Sequence, residues 1–245
     1  MPKIFEIGGC VRDELLGIHT KDIDFTFVLD DLTKSVDEGW KSMLDHLKSE
    51  GFKIFLETKD CFTVRAQFPK GHKHEGLTAD FVMARKEIGY RKGTRKPILE
   101  LGTLLDDQRR RDFTINTMAK DENGEIIDPF EGVVDLKDKL IRTPLNPIET
   151  LMEDPLRMLR AIRFSITKEL EIEESLFQAM FTEGLLEKLE EVVSEERIRE
   201  ELQKMLHHNS AQTIRMLSLF DKVDGRLLDI IFKGDLWLLP TTKKK

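Results

Sequence analysis

Two aspartates two residues apart, Asp22 and Asp24, lie in the segment DIDFTFVL, whose aromatic and β-branched content predicts a strand. Alternation along a strand sends side chains i and i+2 to one face, with Cα atoms roughly 6.5 to 7 Å apart. Carboxylates so placed can converge on a hard cation such as Mg²⁺, which takes oxygen ligands. An exposed acidic strand edge carries the same spacing, and Asp30-Asp31 just downstream is assigned no role. Upstream, Gly8-Gly9 joins a predicted strand, Lys3–Ile7, to a helical stretch from Val11 to Leu16. Glycines let a backbone approach a phosphate, a helix N-terminus offers free N–H groups, and Arg12 adds a planar charged fork for phosphate oxygens. A Gly-Gly pair alone is usually just a turn. The ordered set Gly8-Gly9, Arg12-Asp13, Leu15-Leu16-Gly17 and Asp22-x-Asp24 is far more specific.

The elements around these residues read as mixed α/β. Ser35 to Glu50 has the apolar spacing of a surface helix stopped by Gly51, and Lys53–Leu56, Phe62–Phe68 and Thr78–Ala84 are strand candidates. Asn123-Gly124, between Met118-Ala119 and Ile126-Ile127, predicts a hairpin turn. Past Thr143 the texture changes. Pro144 and Pro147 mark a boundary, and amphipathic helical patterns run from about Pro155 to Leu219, one of them started by Ser194 as a capping serine. The expected class is therefore α+β, with a mixed-sheet domain over 1–143 and an all-helical domain over 144–245. Asp154, Arg157, Arg160 and Arg163 recur every three residues and drift slowly around one side of a predicted helix. Glu153 with Arg157 is also an ordinary i,i+4 ion pair.

Composition narrows the classes. The chain has 245 residues, 40% hydrophobic and 35% charged, and no apolar run approaches the roughly 20 residues that cross a bilayer. Met1 to Glu6 lacks the basic and apolar regions of a signal peptide. Cys10 and Cys61 are the only cysteines, without metal-ligand spacing, which argues against a disulfide framework or a zinc site and favours a cytoplasmic setting. The net charge is −7, mildly unfavourable for a nucleic-acid partner. That figure averages a basic Arg85–Lys96 segment and Arg109–Arg111 with a glutamate-rich Glu169–Glu201, so RNA is not excluded.

The stretch GGCVRDELLGIHTKDIDF resembles the signature of the class II CCA-adding enzymes and bacterial poly(A) polymerases, within the polymerase beta-like nucleotidyltransferase superfamily. ADFVMARKE (79–87), RRDFTIN (110–116), EDPLRMLRAIRF (153–164) and SEERIREELQKML (194–206) match further motifs in the same order. The resemblance implies a nucleotidyltransferase head followed by a helical neck, and two-metal transfer of CMP and AMP from CTP and ATP to a tRNA 3′ end. It implies Asp22 and Asp24 as metal ligands, Asp80 as a third catalytic carboxylate, and Mg²⁺ as cofactor. Gly8, Gly9 and Arg12 match the triphosphate turn, and Arg111 an arginine on the incoming nucleotide; Asp112 and Asn116 read as local bracing. Asp154 and Arg157 match the pair that hydrogen-bonds the base edge without a template, and Arg160 and Arg163 then approach the phosphates. The basic segment Gly89–Lys96 falls where relatives carry a flexible loop.

Longer relatives continue through helical body and tail domains, whereas little follows Asp224 except the apolar Leu227–Leu239 and three lysines. A minimal enzyme, a shortened chain and one half of a split enzyme all fit. The apolar end would cover its own core, or dock a protein partner or a second copy. Two rival functions stay open beside CCA addition: a poly(A) polymerase using ATP alone, and a non-catalytic RNA-binding or regulatory remnant.

Overall fold

The computed structural model describes residues 2–20, 23–90 and 97–232. The chain divides into two compact units, Met1–Leu136 and Lys137–Lys245. The first holds β1 (Lys3–Ile7), α1 (Gly9–Leu15), β2 (Asp24–Val28), α2 (Val36–Ser49), β3 (Lys53–Thr58), β4 (Thr63–Gln67) and β5 (Thr78–Met83). The hairpin strands β6 (Arg85–Tyr90) and β7 (Pro97–Leu101) follow, then α3 (Leu104–Arg109), β8 (Ala119–Lys120), β9 (Ile126–Ile127) and α4 (Gly132–Lys137). The main sheet runs β3-β4-β5-β2-β1-β8-β9, with β2 and β5 parallel and the other described pairs antiparallel.

One face of this sheet is apolar, and that decides where the aspartates point. Phe25 and Phe27 on β2, Phe81 and Met83 on β5, and Val64 and Ala66 on β4 pack with Trp40, Met43 and Leu47 of α2. Burying side chains of this size stabilises by about 1.5–3 kcal/mol each. The alternate residues Asp24 and Asp80 must then leave by the opposite face. Helix α2 begins in a capping box: Ser35 Oγ accepts from the Glu38 N–H at 3.3 Å, and Glu38 Oε2 from the Ser35 N–H at 2.9 Å. The expected hairpin forms at Asn123-Gly124, where Gly124 takes φ +84° and Asp121 Oδ1 accepts from the N–H groups of Asn123 and Glu125.

Among its described residues the second unit is helical apart from a two-residue parallel bridge between β10 (Leu140–Ile141) and β11 (Glu171–Ile172). Its helices are α5 (Pro147–Glu153), α6 (Leu156–Lys168), α7 (Glu174–Ala179), α8 (Leu185–Val192), α9 (Glu195–Asp224) and α10 (Leu227–Phe232). The amphipathic α6 packs along α9 and buries Leu156, Leu159, Ile162 and Ile166. Helix α9 kinks at Asn209, whose backbone is not helical and whose Oδ1 caps the second half by accepting from the Gln212 N–H at 3.0 Å. Ser194 does occupy the N-cap of α9, but its hydroxyl makes no capping hydrogen bond. Leu227, Ile230 and Ile231 are buried; the part of the apolar stretch beyond Phe232 lies outside the described residues. The class is α+β, as the sequence predicts, and among the described residues no helix is long and apolar enough to cross a membrane.

Candidate active site

Asp22 lies outside the described residues. Asp24 is exposed at the first position of β2, and parallel register pairs it with Asp80 on β5, at a neighbouring-strand spacing of about 4.8 Å. Asp80 is in turn the antiparallel partner of Arg65 on β4. Arg65 grips it bidentately, Nε to Oδ1 at 2.7 Å and Nη2 to Oδ2 at 2.6 Å. Three strands thus present the row Arg65–Asp80–Asp24 on one face. Among the described residues no group of three His, Cys, Asp or Glu is placed to hold a metal ion. Two adjacent carboxylates do match the oxygen preference of a hard divalent cation, and Asp22 precedes Asp24 on the same segment.

The glycine turn is built around two guanidinium groups. Gly8 has φ +84° and ψ −130°, a conformation essentially reserved to glycine. A Cβ there would meet Arg111 Nη1 at 2.6 Å, and one on Gly9 would lie 3.5 Å from Arg12 Nη2. The space two side chains would fill is therefore lined with positive charge. Arg111 is anchored by Asp107 Oδ2 at 3.2 Å, and Arg110 Nε reaches Asp107 Oδ1 at 2.9 Å. Burial by itself would push the Asp107 carboxyl up, but the two guanidiniums outweigh it and hold it below the usual carboxylate range.

Arg12 is buried, with Nη1 on Asn116 Oδ1 at 2.5 Å and Nε on Asp13 Oδ1 at 2.9 Å. Asn116 Nδ2 donates to Asp112 Oδ1 at 2.9 Å, so Asp112 and Asn116 brace the turn. The buried Nε of Arg111 has no acceptor among the described residues. Cys10 ties this turn to the carboxylate row, its Sγ 3.8 Å from the Asp24 carbonyl oxygen. Burial pushes the Cys10 thiol up, away from thiolate chemistry.

In the second unit Asp154 does not ride on the helix with the arginines. Pro155 follows it, a residue before proline avoids the helical region, and Asp154 is extended at φ −134°, ψ 97°, between α5 and α6. Its Oδ1 accepts from the Leu156 N–H at 3.3 Å and its Oδ2 pairs with Arg197 Nη2 at 3.0 Å. Arg157, on α6, donates through Nη1 to Glu153 Oε2 at 2.8 Å and to the Thr150 carbonyl at 3.1 Å. Arg160 Nη1 lies 3.6 Å from Glu201 Oε1, and Arg163 Nε pairs with Glu201 Oε2. Within the basic segment, Gly89 and Tyr90 end β6, and Arg91–Lys96 lie outside the described residues.

Sequence reading singled out neither Arg65 nor Asp107 nor Glu201 for a role. Arg65 could be found only by pairing β4 with β5. Asp107 carried a local signal, three and four residues ahead of Arg110 and Arg111.

Comparison with known proteins places this arrangement. Residues 4–142 match the family described as the poly A polymerase head domain. The chain is 35% identical over 215 residues to the tRNA nucleotidyltransferase cca2 of Schizosaccharomyces pombe, covering 84% of this chain and 43% of that protein. It superposes on the Thermotoga maritima CCA-adding enzyme complexed with tRNA with a TM-score of 0.69 and 29% identity, covering 96% of this chain and 50% of that one. A tRNA nucleotidyltransferase complexed with a primer tRNA and an incoming ATP analogue gives the same TM-score and identity, over 96% of this chain and 61% of that one. The chain spans about half the length of the curated relatives it matches. With more than half of its residues inside the head-domain match, the chain belongs to the CCA-adding enzyme and poly(A) polymerase family of metal-dependent nucleotidyltransferases.

Proposed function

We propose that this chain is a tRNA nucleotidyltransferase, transferring CMP and AMP from CTP and ATP to the 3′ end of tRNA with Mg²⁺. The observation that carries the reading is the side-by-side register of Asp24 and Asp80 next to a glycine turn packed with Arg12 and Arg111. Relatives crystallised with tRNA and with an ATP analogue support the choice of substrates. The head comprises 1–143 and the neck 144–245, in a cytoplasmic setting.

In this reading Asp22 and Asp24 hold the metal, and Asp80 completes the carboxylate set. When bound, Mg²⁺ activates the RNA 3′-hydroxyl and stabilises charge on the α-phosphate and the leaving pyrophosphate. Gly8 and Gly9 let the backbone approach the triphosphate, and Arg12 and Arg111 set positive charge at that turn. Asp154 accepts from, and Arg157 donates to, the edge of the incoming base, while Arg160 and Arg163 serve its phosphates. C and A both present an exocyclic amino donor where U and G present a carbonyl acceptor. A carboxylate acceptor therefore favours the two correct bases.

The test is extension of a tRNA lacking its CCA end, with Mg²⁺ and each labelled nucleotide in turn. Two C residues, one A and then a stop are expected. Long A tails would transfer the reading to poly(A) synthesis, and no incorporation at all would overturn catalysis by this chain.

A further inference from the structure

The row Asp24–Asp80–Arg65 continues onto the edge strand of the sheet, because Leu56 on β3 is the register partner of Arg65 on β4. The register slips between Ile54 and Leu56, and a bulge of this kind re-aims the side chains around it. Ile54 packs against the core, whereas Phe55 and Leu56 are 52% and 56% exposed. Lys53, the partner of Gln67, holds Nζ 5.1 Å from the centroid of the Phe55 ring. The Arg65 side chain is 53% exposed although it grips Asp80. Two large apolar side chains thus stand in solvent beside two cations, with Leu56 two strand spacings, about 10 Å, from Asp80.

We infer that Phe55 and Leu56, with Lys53 and Arg65 beside them, form the subsite for the 3′-terminal nucleotide of the RNA. The inference rests on the nucleotidyltransferase reading. In phosphoryl transfer the attacking and leaving oxygens lie roughly in line across the phosphorus. The Gly8-Gly9 turn follows β1, and β1 flanks β2 on the side away from β5. With the triphosphate at that turn, pyrophosphate leaves over β1, and the 3′-hydroxyl enters from the side of β5, β4 and β3. On that side Phe55 offers a ring for a base to stack on, and Lys53 and Arg65 offer charge for the phosphate behind it. Stacking tolerates any base. That suits a site whose RNA end changes with every nucleotide added.

The test compares the unmodified chain with Phe55→Ala and Phe55→Trp. KM for tRNA lacking its CCA end and KM for CTP are measured separately, alongside a circular dichroism melt and sedimentation velocity. Phe55→Ala is expected to raise KM for the tRNA about tenfold, the loss of one base–aromatic stack, with a folded melt and an unchanged KM for CTP. Phe55→Trp keeps a ring and holds KM for the tRNA near that of the unmodified chain. The same tRNA with 4-thiouridine as its 3′-terminal nucleotide is expected to cross-link to the peptide bearing Phe55. A folded Phe55→Ala chain with unchanged KM for the tRNA, or a cross-link only outside β3 and β4, overturns this inference alone. So does a dimer that Phe55→Ala dissociates without moving that KM, which would make β3 an interface between copies. An unmodified chain that incorporates neither CMP nor AMP overturns the nucleotidyltransferase reading, and this inference with it.

Discussion

In the first unit, Asp107 is fully buried and holds Arg110 and Arg111, which follow it by three and four residues on the same short segment. In the second, the equally enclosed Glu201 holds Arg160 and Arg163 from a different helix, about forty residues further along the chain. Both place a buried anion behind two arginines, and the family resemblance directs Arg111 of the first pair and both Arg160 and Arg163 of the second toward a nucleotide. The local arrangement needs only α3 and the two residues that follow it. The long-range one exists only once α6 has packed on α9, so loss of tertiary packing should release its arginines first.

The largest expected effect separates the two clusters. Arg110→Ala with Arg111→Ala strips Asp107 of both ion-pair partners and should cost about 3–5 kcal/mol in urea unfolding. Arg160→Ala with Arg163→Ala leaves Lys204 at 3.7 Å from Glu201 and should cost less, about 2 kcal/mol. Equal losses, or the reverse order, would break the comparison.

Acid sharpens it next. Burial pushes the Glu6 carboxyl up, but hydrogen bonds from Lys120, Lys73 and His74 outweigh that and bring it to about 2. A carboxyl lowered in the folded state stabilises above its unfolded value and loses that contribution as pH falls toward the folded one. The first unit should therefore lose stability, about 3 kcal/mol from Glu6 alone, between pH values of about 5 and 2. Asp107, shifted in the same direction, adds to this loss. Glu6→Gln should flatten that slope in acid denaturation followed by tryptophan fluorescence and circular dichroism; an unchanged slope would remove Glu6 as its source.

The smallest effect contrasts two helix starts. Ser35→Ala, which breaks the capping box of α2, should cost about 1 kcal/mol. Ser194→Ala removes a hydroxyl with no capping bond and should stay within about 0.5 kcal/mol. Thermal unfolding of the two variants distinguishes them.

These contrasts also mark what can be read from one sequence. The hairpin at Asn123-Gly124, the strand carrying Asp24 and the helix started by Ser35 depend on neighbours a few residues away, and all three form. The three-residue spacing predicts Asp154 on the helical stripe with the arginines, but Pro155 holds the preceding residue extended and so keeps Asp154 off α6. Ser194 illustrates the converse, since a suitable residue type in the right place still needs side-chain geometry that sequence does not specify. The Arg65 grip on Asp80, the Glu6 cluster with Lys73, His74 and Lys120, and the reach of Glu201 to α6 all require strand register or helix packing. The family motifs named the residues of the candidate site. Asp112 and Asn116 read as bracing from the sequence, but their partners, Arg12 for Asn116 and Asn116 for Asp112, are given only by the fold.

The most direct measurement is incorporation of labelled CMP onto tRNA lacking its CCA end by Asp24→Ala, with CTP binding measured on the same preparation. The account predicts that incorporation is abolished while CTP binding persists, because the proposed function gives Asp24 a metal-holding role and the glycine turn with Arg12 and Arg111 is intact. Incorporation retained at the unmodified rate would contradict the assignment of this carboxylate row as the catalytic centre.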